Sequence, residues 1–278
     1  TGPAPAKAAK GWTITRLTPL SRLSGANGIR TGADGRIYIA SVPSSSISAI
    51  NPDTGAIEVI SPLGGDIVAP DDLVFDEAGN LYVTEITLGR VSMRAPNGKM
   101  SVIAGDMPVA NPITYHQGRM IAGECRMDAR IMELDRNGGA PRLIKDGIPM
   151  ANAFQVGPDG KLYFPVMGAN EIWRVDLNGG APEVVAGDLG VPDSVKFDSK
   201  GRIWIATDGA PTAAGIADGL YGADTAGYGR GLTRCFFQAP TGEAACAQAA
   251  AGRLSGLKRM RPCRPSCASS TDPGTCGW

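Results

Sequence analysis

The chain has 278 residues, 27 basic and 27 acidic, with a formal net charge of zero; such a balance gives no basic footprint for a nucleic-acid partner. It carries no apolar run long enough to span a bilayer as a helix, and its length suffices for one large domain with a full core. The 38 glycines and 21 prolines suit tight turns between many short strands.

Residues 1–11, rich in Ala, Pro, Gly and Lys, read as a flexible tether, either what remains after signal-peptide removal or a trimmed start. The first alternative makes the protein periplasmic or secreted. Trp12-Thr13-Ile14-Thr15-Arg16-Leu17 then reads as an outer strand. A short phrase follows that occurs five times: Ala-Asn-Gly-Ile (26–29), Pro-Asp-Asp-Leu (70–73), Ala-Asn-Pro-Ile (110–113), Ala-Asn-Ala-Phe (151–154) and Pro-Asp-Ser-Val (192–195). Between their Asn or Asp positions, 27 to 71 is 44, 71 to 111 is 40, 111 to 152 is 41 and 152 to 193 is 41. A period of about 40–45 residues marks a propeller blade.

Each phrase opens a predicted strand that runs to a Gly-containing turn, as at Ala33-Asp34-Gly35 and Pro158-Asp159-Gly160, a hairpin signal. Second strands follow at Ile37–Ala40, Leu81–Thr84, Met120–Ala122, Leu162–Phe164 and Ile203–Ala206, rich in the aromatic and β-branched residues that pack in sheets. Third strands end in turns such as Asn51-Pro52-Asp53-Thr54-Gly55, and fourth, outer strands lie at Ile57–Ile60, Met100–Ile103, Arg142–Ile144 and Glu183–Val185. The predicted fold is all-β: a β-propeller of four-stranded antiparallel blades over 12–246, six-bladed, with an incomplete or degenerate last blade. The Trp12–Leu17 strand is expected to complete that blade and hide two sheet edges.

Gly219–Gly222 and Leu232–Phe237 can finish blade five. From about Ala244 the pattern stops, and 247–278 reads as a poorly specified Cys-rich tail holding Cys263, Cys267 and Cys276. The Cys-x3-Cys pair lacks the partners of a zinc site, and an oxidising compartment would allow disulfides.

The phrases place their polar residues at the start of each innermost strand, where blades converge on the central channel. Oxygens from several blades make a cage for a hard cation, and Ca2+ takes about six to eight oxygens, Asn amides and carboxylates among them. Asn27, Asn111, Asn152 and Asp193 are the candidate ligands, with Asp71 or Asp72 beside them. Other divalent cations are possible, but the repeats offer no His or Cys cluster for a transition metal. Alternatively, such residues only shape their own turns. Glu85, Glu124 and Asp208 end second strands at the same mouth and are candidate substrate-binding residues, or solvated strand ends. His116, the single histidine, falls in a turn at the far end, and no nucleophile-elbow, phosphate-loop or dinucleotide motif is present.

These phrases resemble the senescence-marker-protein/gluconolactonase-like family of six-bladed propellers over about 20–208. The resemblance implies a catalytic Ca2+ held by a first-blade Glu, Asn residues of middle blades and an Asp of a later blade; Asn111, Asn152 and Asp193 match the last three in order. The family's Glu-Gly-Pro is Asn27-Gly28-Ile29 here, one negative charge fewer in the cage. The segment from about 192 to 246, including Pro192–Asp198, Ile205–Gly209, Ala217–Tyr221 and Gly229–Thr233, resembles PhoX-type alkaline phosphatases instead. There a Cys-Gly-Pro run leads to another blade. Here Cys246 leads into Ala-Gln-Ala, which suggests a reading-frame change or truncation near 246; the sequence of the native gene tests this.

The expected function is a Ca2+-dependent hydrolase of lactones or related esters, with a small-molecule substrate and Asp193 as base or nucleophile. The alternatives are a phosphomonoesterase of the PhoX kind and a non-enzymatic propeller that binds a ligand or protein. Oligomeric state is left open by the sequence.

Overall fold

The structure is a computed structural model that describes residues 23–208 except 188 and 200, together with residues 13 and 15–18. Four consecutive four-stranded antiparallel sheets and one two-stranded sheet follow one another along the chain. The first blade comprises β1 (Ala26–Thr31), β2 (Ile37–Ser41), β3 (Ser46–Ile50) and β4 (Ile57–Ser61). The second has β5 (Pro70–Phe75), β6 (Leu81–Glu85), β7 (Arg90–Arg94) and β8 (Met100–Ala104). The third has β9 (Ala110–His116), β10 (Arg119–Glu124), β11 (Ala129–Leu134) and β12 (Arg142–Ile148). The fourth has β13 (Gln155–Val156), β14 (Leu162–Val166), β15 (Glu171–Val175) and β16 (Glu183–Ala186), and the fifth has β17 (Val191–Phe197) and β18 (Ile203–Asp208). The class is the expected one, an all-β propeller of antiparallel four-stranded blades. The expectations for residues 1–11, for the end of blade five, for a sixth blade and for the tail at 247–278 lie outside the described residues.

Each blade is hydrophobic on both faces because each is sandwiched between neighbours. The second strands are almost wholly buried, and apolar clusters such as Tyr38, Ile47, Leu73 and Val83, or Phe154, Phe164, Ile131 and Ile148, bridge one blade to the next. Burial of this kind stabilises by roughly 25 cal/mol per Å2 of apolar surface. The outer strands face solvent and leave Val59, Val102, Leu143 and Val184 exposed.

The hairpin turns far from the phrases repeat one device. Asp34, Asp76 and Asp159 each accept a hydrogen bond from the hydroxyl of Tyr38, Tyr82 and Tyr163, four or six residues on. Asp198 accepts the indole N–H of Trp204 in the same way. The turn aspartate and the second-strand aromatic therefore pin each other, which fixes the hairpin register.

At the other end of four inner strands, β1, β5, β9 and β17, the ladder slips by one residue. Ala26 pairs with Ser41 but Ile29 pairs with Ile39, and Pro70 pairs with Glu85 but Leu73 with Val83. The same slip occurs at Ala110–Ile113 against Glu124–Ala122 and at Pro192–Ser194 against Thr207–Ala206. One extra residue is a β-bulge, which bends the strand and re-aims its side chains. In blades one, two, three and five the bulge coincides with the phrase.

Two expectations need correcting. Thr13 and Thr15–Leu17 lie in no strand. The carbonyl oxygen of Leu17 instead passes over Gly55 in the β3–β4 turn, where a Cβ would stand 2.2 Å from it. The fourth phrase does not open a regular strand either: Ala151 makes an isolated bridge to Val166, and β13 begins only at Gln155. Met150 and Ala153 have φ of 64° and 32°, conformations that break a ladder.

Candidate functional site

The bulges of blades one, two, three and five and the Ala151–Val166 bridge of blade four bring the five phrases to one end of the channel. Asn27 Nδ2 donates to Asp71 Oδ2 at 3.0 Å, joining blades one and two. Asn152 Nδ2 donates to Asp193 Oδ1 at 2.8 Å, joining blades four and five. Asp71 also senses the charges of Asp72 and Asp193, so side chains of blades two and five face each other over the axis. Asn111, on blade three between them, is buried, and its Oδ1 has no hydrogen-bond partner.

Burial first, then Asp72 and Asp193, push the Asp71 carboxyl well above the ordinary carboxylate range, against the opposing hydrogen bond from Asn27. Three carboxyl groups gathered in a low dielectric destabilise one another's charge. A cation would relieve that repulsion and satisfy the orphaned Asn111 oxygen, so the residues fit a hard, oxygen-seeking ion. The amides of Asn27 and Asn152 point their NH2 groups at carboxylates, and a half-turn about the terminal bond would present Oδ1 instead. Among the described residues no three His, Cys, Asp or Glu side chains are grouped to hold a metal ion; a cation here would depend on amide oxygens.

Close backbone approach makes this convergence possible. A Cβ on Gly28 would lie 2.6 Å from the carbonyl oxygen of Asp71 and 2.6 Å from the Cα of Asp72. A Cβ on Gly123 would lie 2.6 Å from Cζ of Phe154, the apolar residue of the fourth phrase. Only glycine admits these neighbours.

Glu85 and Glu124 stand at the expected strand ends but turn away from the channel. Both are 0% exposed. Glu85 accepts from Arg90 Nε at 2.5 Å, from the Val68 amide at 2.7 Å and from the Ser92 hydroxyl. Glu124 accepts from Arg126 Nε at 2.9 Å and from the Arg130 amide and guanidinium at 3.0 and 2.9 Å. The counter-charge that the sequence reading sought in a cation or substrate is arginine, and these carboxylates clamp the turns between second and third strands. In blade five the equivalent place, opposite the first phrase residue Pro192, is Thr207, and Asp208 stands one position beyond it, paired with Val191; the side chain of Asp208 lies outside the described residues. His116 ends β9, five residues beyond Asn111 and opposite Arg119.

Several channel residues escaped the sequence reading. Arg30 Nη2 donates to Asp72 Oδ2 at 3.2 Å and to the carbonyl of Ile113 at 2.8 Å. Asp72 accepts in addition from the amides of Leu73 and Ile113. Lys196 on β17 lies near Arg30 and Asp72; burial, then Arg30, push its ammonium down to about 8, against the pull of Asp72. Cys125 lies beside the mouth, its Sγ 3.9 Å from Met167 Sδ. Burial, then Asp71 and Asp193, push its thiol up to about 12, so it is no nucleophile near neutral pH. The signal for Arg30 and Lys196 was in the repeat: each follows its phrase Asn or Asp by three residues.

No family model and no curated protein matches the chain. Solved structures do match. A virginiamycin B lyase from Staphylococcus aureus is 20% identical over 66% of this chain and 64% of its own, with a TM-score of 0.55. A protein described as a gluconolactonase is 18% identical over 82% of each chain, with a TM-score of 0.61. A chain of the nidogen/laminin complex is 16% identical over 66% of this chain and 73% of its own, with a TM-score of 0.60. The chain thus spans 64% of the length of the lyase. At these identities the likeness is one of fold.

Proposed function

We propose that the protein is a Ca2+-dependent hydrolase of lactones or related esters, acting on a small molecule at the phrase end of the channel. The observation that carries this reading is the buried, unpartnered Oδ1 of Asn111 beside the mutually repelling Asp71 and Asp193. Asn27, Asp71, Asn111, Asn152 and Asp193 would hold the ion. When bound, it supplies Lewis-acid polarisation of a carbonyl oxygen.

The side chains would then divide the work. Asn152 holds Asp193 Oδ1 and so orients this carboxylate, which takes the proton from water or attacks the carbonyl carbon itself. In a lactone the ring oxygen leaves as an alkoxide, and the proton that Asp193 takes from water is returned to it. The likeness to a protein described as a gluconolactonase supports this choice of substrate class.

Lyase chemistry of the kind named for the streptogramin enzymes is less well supported. A histidine-to-alanine form of the S. aureus lyase is described as catalytically inactive, whereas the one histidine of this chain ends β9 away from the phrases. The likeness to a nidogen/laminin chain keeps a protein-binding propeller as the competing reading. Metal analysis and thermal melting with Ca2+ and with chelator separate them. A hydrolase of this kind gains stability with Ca2+ and opens lactones only in its presence. A melting temperature indifferent to Ca2+, with no lactone opened, would refute the proposal.

A further inference from the structure

Arg30 and Lys196 occupy the same position in two repeats. Arg30 pairs with Tyr38 and Lys196 with Trp204, the aromatic residue of the second strand in each case. Equivalent positions of different blades lie at one depth along the channel. The two cations are therefore on one level, and Asp72 and the Ile113 carbonyl, both held by Arg30, reach that level from blades two and three.

This level differs from that of the phrases. Asp71 senses Asp72 and Asp193, while Lys196 senses Arg30 and Asp72. Asp72 is thus the charge common to the carboxylates of the phrases and to the Arg30–Lys196 pair. Arg30 has a side chain 15% exposed and commits only Nη2 to Asp72 and Ile113, which leaves the N–H groups of Nε and Nη1 unpartnered among the described residues. Lys196 Nζ makes no hydrogen bond or ion pair among the described residues. Val195 packs into the blade-four interface with Tyr163 and Ile172, so Ser194 and Lys196 share the other face of β17. Arg30 and Lys196 thus stand at one level with Asp72 the carboxylate coupled to both, and two cations beside a single carboxylate favour a further anion between them.

We propose that Arg30 and Lys196 form an oxyanion subsite, which takes the carboxylate or phosphate group of a small molecule bound in the channel. The fork of Arg30 beyond Asp72 offers two N–H directions to a planar or tetrahedral oxyanion, and Lys196 supplies the second charge. The subsite does not depend on a cation among the phrase oxygens.

The test uses the full chain, freed of metal by passage over a chelating resin, at pH 7 and constant ionic strength. Titration calorimetry with inorganic phosphate and with gluconate, one phosphate and one carboxylate, is expected to give saturable binding of at least one. Lys196→Met weakens that binding tenfold or more, whereas Lys196→Arg stays within about threefold. In the parent chain the same anion slows acylation of Lys196 by an amine reagent at least threefold, read by mass spectrometry, and leaves the exposed Lys99 unaffected. This last measurement stands even if the Met variant folds poorly. No saturable binding of either anion, or equal binding by Lys196→Met, would overturn the proposal, as would acylation of Lys196 indifferent to the anion. Failure here would leave a positive Ca2+ response untouched, and the converse also holds.

Discussion

Asn152 and Asp193 sit at the same position of consecutive repeats, 41 residues apart, and are joined by a hydrogen bond of 2.8 Å. The amide fixes one carboxylate oxygen and so determines where the other is aimed. Asp193→Ala should lower metal-dependent lactone opening by at least a hundredfold, and Asn152→Ala by about tenfold to a hundredfold, chiefly in kcat. Steady-state kinetics on both variants check this; full activity in Asp193→Ala would remove Asp193 from the chemistry.

Asp71 predicts a dependence on pH. Its folded pKa is raised above the ordinary value of 3.8, so its protonation stabilises the fold below that value and the contribution is lost as pH rises through the folded pKa. At pH 7 without metal, Asp71→Asn should therefore be more stable than the parent, with the advantage shrinking toward pH 4. Saturating Ca2+ should reverse the order, because the parent alone keeps the full ligand charge. Urea unfolding at several pH values, with and without Ca2+, measures both effects.

Gly28 separates β1 from the backbone of Asp71 and Asp72 by less than a methyl group requires. Gly28→Ala should cost about 1–3 kcal/mol and weaken the stabilisation by Ca2+, since the strain falls on two channel carboxylates. An unfolding midpoint equal to that of the parent would show that the two strands separate freely.

Glu85 is a clamp, fully buried and held by Arg90, Ser92 and the Val68 amide. Breaking a buried ion pair from one side costs about 3–5 kcal/mol. Glu85→Ala should lose stability on that scale and leave KM for substrate unchanged. A variant with parental stability and a raised KM would return Glu85 to the substrate site.

The fold was legible because the repeat was written twice, once in the phrases and once in the Gly-containing turns. The period of about 40 residues gave the blades, and the turn-plus-aromatic pattern gave the second strands nearly to the residue. The convergence of Asn27 with Asp71, and of Asn152 with Asp193, followed from the same repeat. The destination of Glu85 and Glu124 did not, because a carboxylate at a strand end can turn inward to its own blade. Here Arg90, Arg126 and Arg130 decide the matter, and strand pattern says nothing about rotamers. Arg30 and Lys196 were missed for a different reason. Attention rested on the repeated residue type, whereas these two share a position and differ in identity from Val74, Thr114 and Gln155 in the other blades.

The slipped residue at four of the inner strands has a consequence for how such a ring changes over time. The side chains at 27, 71, 111 and 193 are freed from strict alternation by the backbone itself, so replacing one of them alters the lining of the pore without unpairing a sheet. Chemistry and architecture are thereby decoupled at four addresses. A lineage could exchange its ligand one substitution at a time while every blade stays folded.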